Sequence, residues 1–213
     1  MVDLAAFAAT ALRAALVLMI LSDAIYVAGI LAPKERERIE TDPIGWGIWS
    51  LGGALLAASS YAKGGITEGW WFLAIITALQ TAVCLLTLAQ PGRVFLMEST
   101  RWLSLGLAAL GVIGWLGWSD PFPAFVAGML IDVGGLIAIM RSVRENPFSE
   151  GRAAWTLSVL ASWTYLVGVV AGQATGQADA WQCSYAVYYA TANSVVLCMI
   201  LTGRWRPGSR FAK

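Results

Sequence analysis

The stretch Ala14–Ala32, AALVLMILSDAIYVAGILA, decides the fold class of this chain. A helix needs about 20 mainly apolar residues to cross a bilayer, and this stretch supplies them. Its one charged residue, Asp23, lies near the middle. A second stretch, Pro123–Met140, has the same design in PAFVAGMLIDVGGLIAIM, with Asp132 as its one charged residue. The two stretches indicate membrane-spanning helices that each carry an acid at mid-depth.

The composition of the whole chain agrees with a membrane protein. Of the 213 residues, 58% are hydrophobic and 13% are charged, whereas about 25% are charged in a typical soluble domain. These proportions argue against a disordered chain, a disulfide scaffold and an ordinary soluble enzyme. Histidine is absent, which excludes catalytic triads and metal sites that need it. The net charge of +1 gives no reason to expect a nucleic-acid partner.

Seven apolar runs are each long enough to span a bilayer, and short connections separate them. We therefore predict an all-α integral membrane protein with seven transmembrane helices. The predicted spans are Ala14–Ala32, Ile44–Ala62, Trp70–Gln90, Trp102–Trp118, Pro123–Met140, Ala153–Gly172 and Trp181–Thr202.

The distribution of Lys and Arg predicts the orientation. Of the 14 basic residues, only Arg13 and Lys63 fall on the side of the amino terminus. The other 12 fall on the opposite side, which includes the carboxyl-terminal tail. Basic residues are concentrated in cytoplasmic loops. We expect a plasma (inner) membrane protein with its amino terminus outside and its carboxyl terminus in the cytoplasm.

The first three spans resemble the last three. Asp23 and Asp132 lie mid-span, a charged loop with proline follows each, and further features recur in the same order. The matching segments are Trp49-Ser50-Leu51 with Trp155-Thr156-Leu157, Thr77-Ala78 with Thr191-Ala192, and Cys84 with Cys198. Two three-helix units can be parallel only if one further helix joins them. We predict a 3+1+3 layout with units at 1–90 and 123–213 and a linker helix within 91–122.

This layout resembles the SWEET and PQ-loop (MtN3-type) superfamily, which includes sugar transporters, lysosomal amino-acid exporters and KDEL receptors. The resemblance is architectural and covers nearly the whole chain. The family's Pro-Gln dipeptides are absent, and the corresponding stretches read Leu31-Ala32-Pro33-Lys34 and Met140-Arg141-Ser142. Some exporters of the family couple to protons through an Asp in the fifth helix, which implies that role for Asp132. The sugar transporters hold substrate with paired asparagines in the third and seventh helices, which implies substrate contact for Asn193 and, less exactly, Gln80.

The two mid-span acids are the first candidates for function. A carboxylate at the bilayer centre costs about 2.5–3.5 kcal/mol on insertion scales, and ionisable residues at that depth mark functional sites. No Lys or Arg lies at the depth of Asp23 and Asp132. We therefore interpret the two acids as a proton- or cation-coupling pair that faces a shared polar interior. The structural alternative is a protonated Asp that hydrogen-bonds to a neighbouring helix.

Polar and aromatic side chains at mid-depth are the candidates for substrate binding. Asn193 and Gln80 carry the amides, and the aromatic candidates are Tyr26, Tyr189 and Trp163. Small-molecule sites are usually apolar pockets with a few convergent polar groups. The alternatives are amides that join helices in lipid and rings that pack in an ordinary core.

Three functions are compatible with these features. The leading hypothesis is a small-solute transporter or ligand-binding membrane receptor. The second is an accessory or assembly subunit that packs against another membrane protein or a second copy of itself. The third is an intramembrane lipid or isoprenoid enzyme, although we expect no enzymatic activity. We expect no cofactor and no metal, and the expected partners are a small-molecule substrate and the lipid bilayer.

Overall fold

A computed structural model describes residues 3–32, 39, 41–90, 99–117, 121–147, 149–178 and 180–203. These residues form seven α-helices and no strand, so the predicted all-helical class is confirmed. The helices are α1 Leu4–Ile30, α2 Pro43–Gly64, α3 Glu68–Leu88, α4 Ser99–Gly117, α5 Pro121–Glu145, α6 Arg152–Ala174 and α7 Ala180–Gly203.

The first helix begins earlier than the sequence predicts. We expected the span to begin near Ala14, but α1 begins at Leu4. The Asp3 carboxylate caps the helix by accepting hydrogen bonds from the N–H groups of Ala5 and Ala6, both at 3.1 Å. Such a cap satisfies donors that a helix start leaves unpaired.

Polar residues also determine the ends of two other helices. Asp42 caps α2 by accepting a hydrogen bond from the N–H of Ile44 at 3.0 Å, and Pro43 occupies the first turn, where its missing N–H is tolerated. α5 continues past its predicted end near residue 140. There Arg141 pairs with Glu145, one turn further on, at 2.8 Å, a spacing that places the two side chains side by side.

Five of the seven helices are long and apolar enough to cross a membrane, whereas α2 and α4 do not meet that measure. Large apolar side chains also remain exposed on the outside of the bundle, among them Val17, Leu110, Ile113 and Leu116. An extensive exposed apolar surface marks a membrane or protein contact. Both features fit a membrane protein. The qualifying segments are Leu4–Ile30, Gly69–Leu88, Val126–Glu145, Arg152–Ala174 and Ala180–Gly203.

The helices pack in a regular set of pairs. The most extensive contacts are α1 with α6, α4 with α5, α2 with α3, and α2 with α5. Further contacts join α6 with α7, α1 with α3, and α5 with α7. The α4–α5 contact is close at Gly111. A Cβ added there would lie only 2.6 Å from the Ala127 carbonyl oxygen. Small residues allow such close approach between helices.

One end of the bundle collects polar contacts between sequence-distant segments, and we call it the Glu150 end. The Nε of Arg101, at the start of α4, lies 3.1 Å from the carboxylate of Asp42, before α2. The Gln90 amide, after α3, donates to the Ile30 carbonyl oxygen at the end of α1 at 3.3 Å. The Thr41 hydroxyl donates to Glu150, which lies between α5 and α6. These contacts bring the loops of both halves of the chain together.

Candidate functional site

A cavity lies between six of the helices, and α4 contributes nothing to its described lining. Its atom-free space is about 550 Å³, including the part that opens to the outside. The lining is mostly apolar with a few polar side chains, as is usual for small-molecule sites. The lining comprises Met19, Ser22, Asp23, Tyr26, Trp46, Trp49, Ile76, Gln80, Asp132, Leu136, Ala154, Trp155, Ser158, Tyr189, Ala192, Asn193 and Val196.

Asp23 reaches the cavity from the middle of α1. Its side chain is buried, with 5% exposed, and its Oδ2 atom has no hydrogen-bond partner in the described part of the chain. The preceding residue fixes this part of the helix, because the Ser22 hydroxyl donates to the Ala154 carbonyl oxygen of α6 at 2.7 Å. A buried polar atom without a partner is costly, so Oδ2 of Asp23 marks a place where a proton or a ligand is needed.

Asp132 reaches the same cavity from the middle of α5, with 8% of its surface exposed. Its backbone carbonyl oxygen accepts a hydrogen bond from the Trp49 indole of α2 at 2.9 Å. Among the described lining residues these two acids are the only charged side chains. The cavity therefore carries negative charge whenever either carboxyl group is ionised.

Four aromatic rings, from Tyr26, Trp46, Trp49 and Trp155, form a continuous chain that we call the aromatic floor. The ring centroids lie 4.9 Å apart for Tyr26 and Trp46, 5.5 Å for Trp46 and Trp49, and 6.1 Å for Trp49 and Trp155. Tilted and edge-on contacts at these distances are favourable for aromatic pairs. The rings come from α1, α2 and α6, so the floor joins both halves of the chain at the Glu150 end of the cavity.

Glu150 fixes the floor from the side of the loops. It is fully buried, with 0% exposed, and it accepts hydrogen bonds from the Tyr26 and Thr41 hydroxyls and from the Trp155 indole, the last at 2.9 Å. Trp46 joins this network by donating to the Thr41 hydroxyl at 2.9 Å. Burial raises the pKa of Glu150 to about 7, and the hydrogen bonds from Thr41, Tyr26 and Trp155 oppose that rise.

Sequence analysis missed Glu150, because it belongs to a short charged loop and the candidates were chosen within the predicted spans. Its burial comes from Thr41 and Tyr26, which are more than 100 residues away in the chain. Its position two residues before the start of α6 at Arg152 is the only local signal. That signal is too common to single out one acid.

Both candidate amides line the cavity, but of the two only the Asn193 side chain forms hydrogen bonds among the described residues. Asn193 accepts a hydrogen bond from the Ser158 hydroxyl of α6 at 2.8 Å, and its NH₂ group donates to the Tyr189 carbonyl oxygen at 2.8 Å. Asn193 therefore joins α6 to α7 and keeps one N–H for other use. Gln80 lines the cavity with no hydrogen-bond partner for its side chain among the described residues.

The aromatic candidates separate into two groups. Tyr26 and Tyr189 line the cavity, and Tyr189 stacks on Tyr185 with ring centroids 5.8 Å apart. Trp163 lies elsewhere: 49% of it is exposed, and its indole donates to the Ser194 hydroxyl at 3.1 Å. Ser162 just before it is buried, and one step along a helix turns the next side chain by about 100°. Trp163 therefore does not belong to the described lining of the cavity.

No protein-family model, curated protein or solved structure matches the chain. Its described residues contain no group of three or more His, Cys, Asp and Glu that could hold a metal ion. The chemistry of the cavity depends on two carboxyl groups, two carboxamides and the aromatic rings of its lining. These groups can hold a proton or a cation and can hydrogen-bond a small solute.

Proposed function

We propose that this chain is a small-solute membrane transporter that binds its substrate in the cavity and couples its movement to protons or cations through Asp23 and Asp132. One observation carries the proposal: two acids from the middle of α1 and α5 line one cavity. Ionisable groups at membrane depth are expensive and are typically retained for function. Gln80, Asn193, Tyr26 and Tyr189 would contact the substrate.

The pairing of the helices supports a 3+1+3 arrangement with parallel repeats, as in the SWEET and PQ-loop superfamily. Exchanging α1 with α5, α2 with α6 and α3 with α7 converts the α1–α6 contact into the α5–α2 contact. The same exchange converts α2–α3 into α6–α7 and α1–α3 into α5–α7, and every one of these contacts is present. α4 packs mainly on α5 and stays off the cavity, as a linker helix would.

The proposed orientation places the amino terminus outside and the Glu150 end in the cytoplasm of a plasma (inner) membrane protein. The excess of Lys and Arg in the loops at that end supports it. The aromatic floor would then close the cavity on the cytoplasmic side.

The proposed mechanism is a rocking motion of the two three-helix units around the substrate. Glu150 belongs to the second unit and accepts hydrogen bonds from Tyr26 and Thr41 of the first. These bonds would break when the cytoplasmic side opens and would form again when it closes. The short α5–α6 connection would therefore act as a latch between the units.

A solute screen with an Asp132→Asn variant tests the proposal. The detergent-purified chain is heated with sugars, amino acids, vitamins, amines and organic acids at a mildly acidic and a mildly alkaline pH. A solute at 100 times its Kd adds about 2.7 kcal/mol to the folded state. We expect at least one stabilising solute whose uptake into proteoliposomes depends on a pH gradient. Asp132→Asn should keep the fold and lose that dependence.

Glu145→Gln is the matched control, because Glu145 is an acid of the same helix that lies off the cavity and pairs with Arg141. This variant should transport as the wild type does. Equal gradient-driven uptake by Asp132→Asn and the wild type would overturn the coupling role. A chain that binds no solute and leaves native membranes only in complex with another membrane protein would instead support an accessory subunit.

A further inference from the structure

The charged side chains in the described lining of the cavity are all acidic. The described lining contains two acids, Asp23 and Asp132, and no Lys or Arg. An anionic solute would meet two like charges and no counter-charge among the described lining residues, and like charges repel strongly in a low-dielectric interior. Both carboxylates, when ionised, would attract a positively charged solute.

The Asp23 carboxylate indicates the same preference, whereas the amides of Gln80 and Asn193 remain available to any polar part of a solute. The two lining serines already donate inside the protein, Ser22 to the Ala154 carbonyl oxygen and Ser158 to Asn193. The Asp23 Oδ2 atom is buried and has no partner in the described part of the chain. When this carboxylate is ionised it only accepts hydrogen bonds, so its partner is then a donor.

Aromatic rings cover much of the remaining wall. The polar atoms of the floor are already engaged, since Tyr26 and Trp155 donate to Glu150 and Trp46 donates to Thr41. What these rings still offer to an occupant is their π surface, which attracts cations within about 6 Å of the ring centre. Tyr26 also lies one turn after Asp23 on α1, so a ring and a carboxylate are neighbours there.

We infer that the substrate of the proposed transporter is a small organic cation. Its ammonium group contacts the Asp23 and Asp132 carboxylates and the aromatic rings of the cavity lining. This inference rests on the proposed function and specifies its substrate class. A bare metal ion fits less well, because ions such as Ca²⁺ take six to eight oxygen ligands and rings occupy much of this wall. A neutral polyol would leave the acidic charge of the cavity unpaired.

The test uses choline and ethanolamine as probes, each compared with its uncharged analogue in which carbon replaces the ammonium nitrogen. Titration calorimetry on the full chain in mild detergent measures their Kd. We expect at least one of the two cations to bind and both analogues to bind about tenfold more weakly or worse. Asp23→Asn should weaken cation binding by about tenfold, and Glu145→Gln should leave it unchanged.

A pair of variants at Tyr189 separates the ring from its hydroxyl. Tyr189→Phe keeps the aromatic surface and should bind the cation more tightly than Tyr189→Leu does. Tyr189→Leu should weaken binding by about twofold to fivefold. If Asp23→Asn does not fold, Asp132→Asn serves in its place, since its carboxylate lines the same cavity.

The outcomes distinguish this inference from the proposed function. Equal binding of a cation and its uncharged analogue would overturn the inference. A neutral or acidic solute that binds and is transported, while no amine binds, would also overturn it and would leave the transporter proposal intact. Absence of binding by every solute in the screen would overturn both.

Discussion

At the scale of single residues, Glu150 gives the clearest link between burial and pH. Its carboxyl group is fully buried, and burial raises its pKa from 4.5 to about 7. Among the described residues, the titratable groups Tyr26 and Asp42 interact with it. The folded protein thus binds this proton more tightly than the unfolded chain does, so this contribution to stability is complete below about pH 4.5 and is lost as pH rises through about pH 7.

We therefore predict that Glu150→Gln changes the pH profile of stability. Relative to this variant, the wild type should lose about 3 kcal/mol of unfolding free energy between about pH 5 and about pH 8. Thermal unfolding in detergent at several pH values measures the difference. Glu145→Gln, which removes an exposed acid near the same loop, should retain the wild-type profile. Parallel profiles for the wild type and Glu150→Gln would contradict this prediction, because they would show that the carboxyl group has the same pKa in the folded and the unfolded state.

At the scale of elements, the contact between α4 and α5 depends on the absence of side chains. A Cβ at Gly111 would meet Ile131 and lie 2.6 Å from the Ala127 carbonyl oxygen, and a backbone atom cannot move aside cheaply. Gly106 lies on the same helix with nothing within 4 Å of an added Cβ. The two glycines therefore provide a matched comparison within α4.

We predict that Gly111→Ala destabilises the protein by about 1–3 kcal/mol, because the added methyl group separates the two helices. Gly106→Ala should be neutral or stabilising by up to about 1 kcal/mol, since alanine is the better helix former. Thermal unfolding of both variants in the same detergent measures the effect. Equal stability of the two variants would contradict the close approach of α4 and α5.

At the scale of the whole molecule, the distribution of basic residues sets an expected topology. Counted along the predicted spans, 12 of the 14 Lys and Arg fall on the side opposite the amino terminus, and such residues are concentrated in the cytoplasm. We predict that a reporter active only in the cytoplasm works when fused after Lys213 and fails when fused before Met1. An export-dependent reporter should give the reverse pattern. Activity of the cytoplasmic reporter at both ends would contradict an odd number of crossings.

The sequence by itself determined the class of the protein and the identity of its main polar candidates. Hydropathy is a property of each residue and its neighbours in the chain, so apolar runs identified the helices and their approximate ends. The same reasoning singled out Asp23 and Asp132, because an acid within an apolar run needs no tertiary structure to be noticed. The starting point of α1 was missed because its cap at Asp3 lies outside the apolar run.

Only the tertiary structure decided which side chains share the cavity. These helices are apolar on nearly every side, so the sequence pattern marks no inward face and does not fix the rotation of each helix about its axis. Trp163 and Ser162 are neighbours in the chain, yet one is exposed and the other buried. Glu150 became part of the site for a similar reason, because donors from distant segments enclose it. Helix rotation and long-range burial depend on contacts that a linear pattern does not contain.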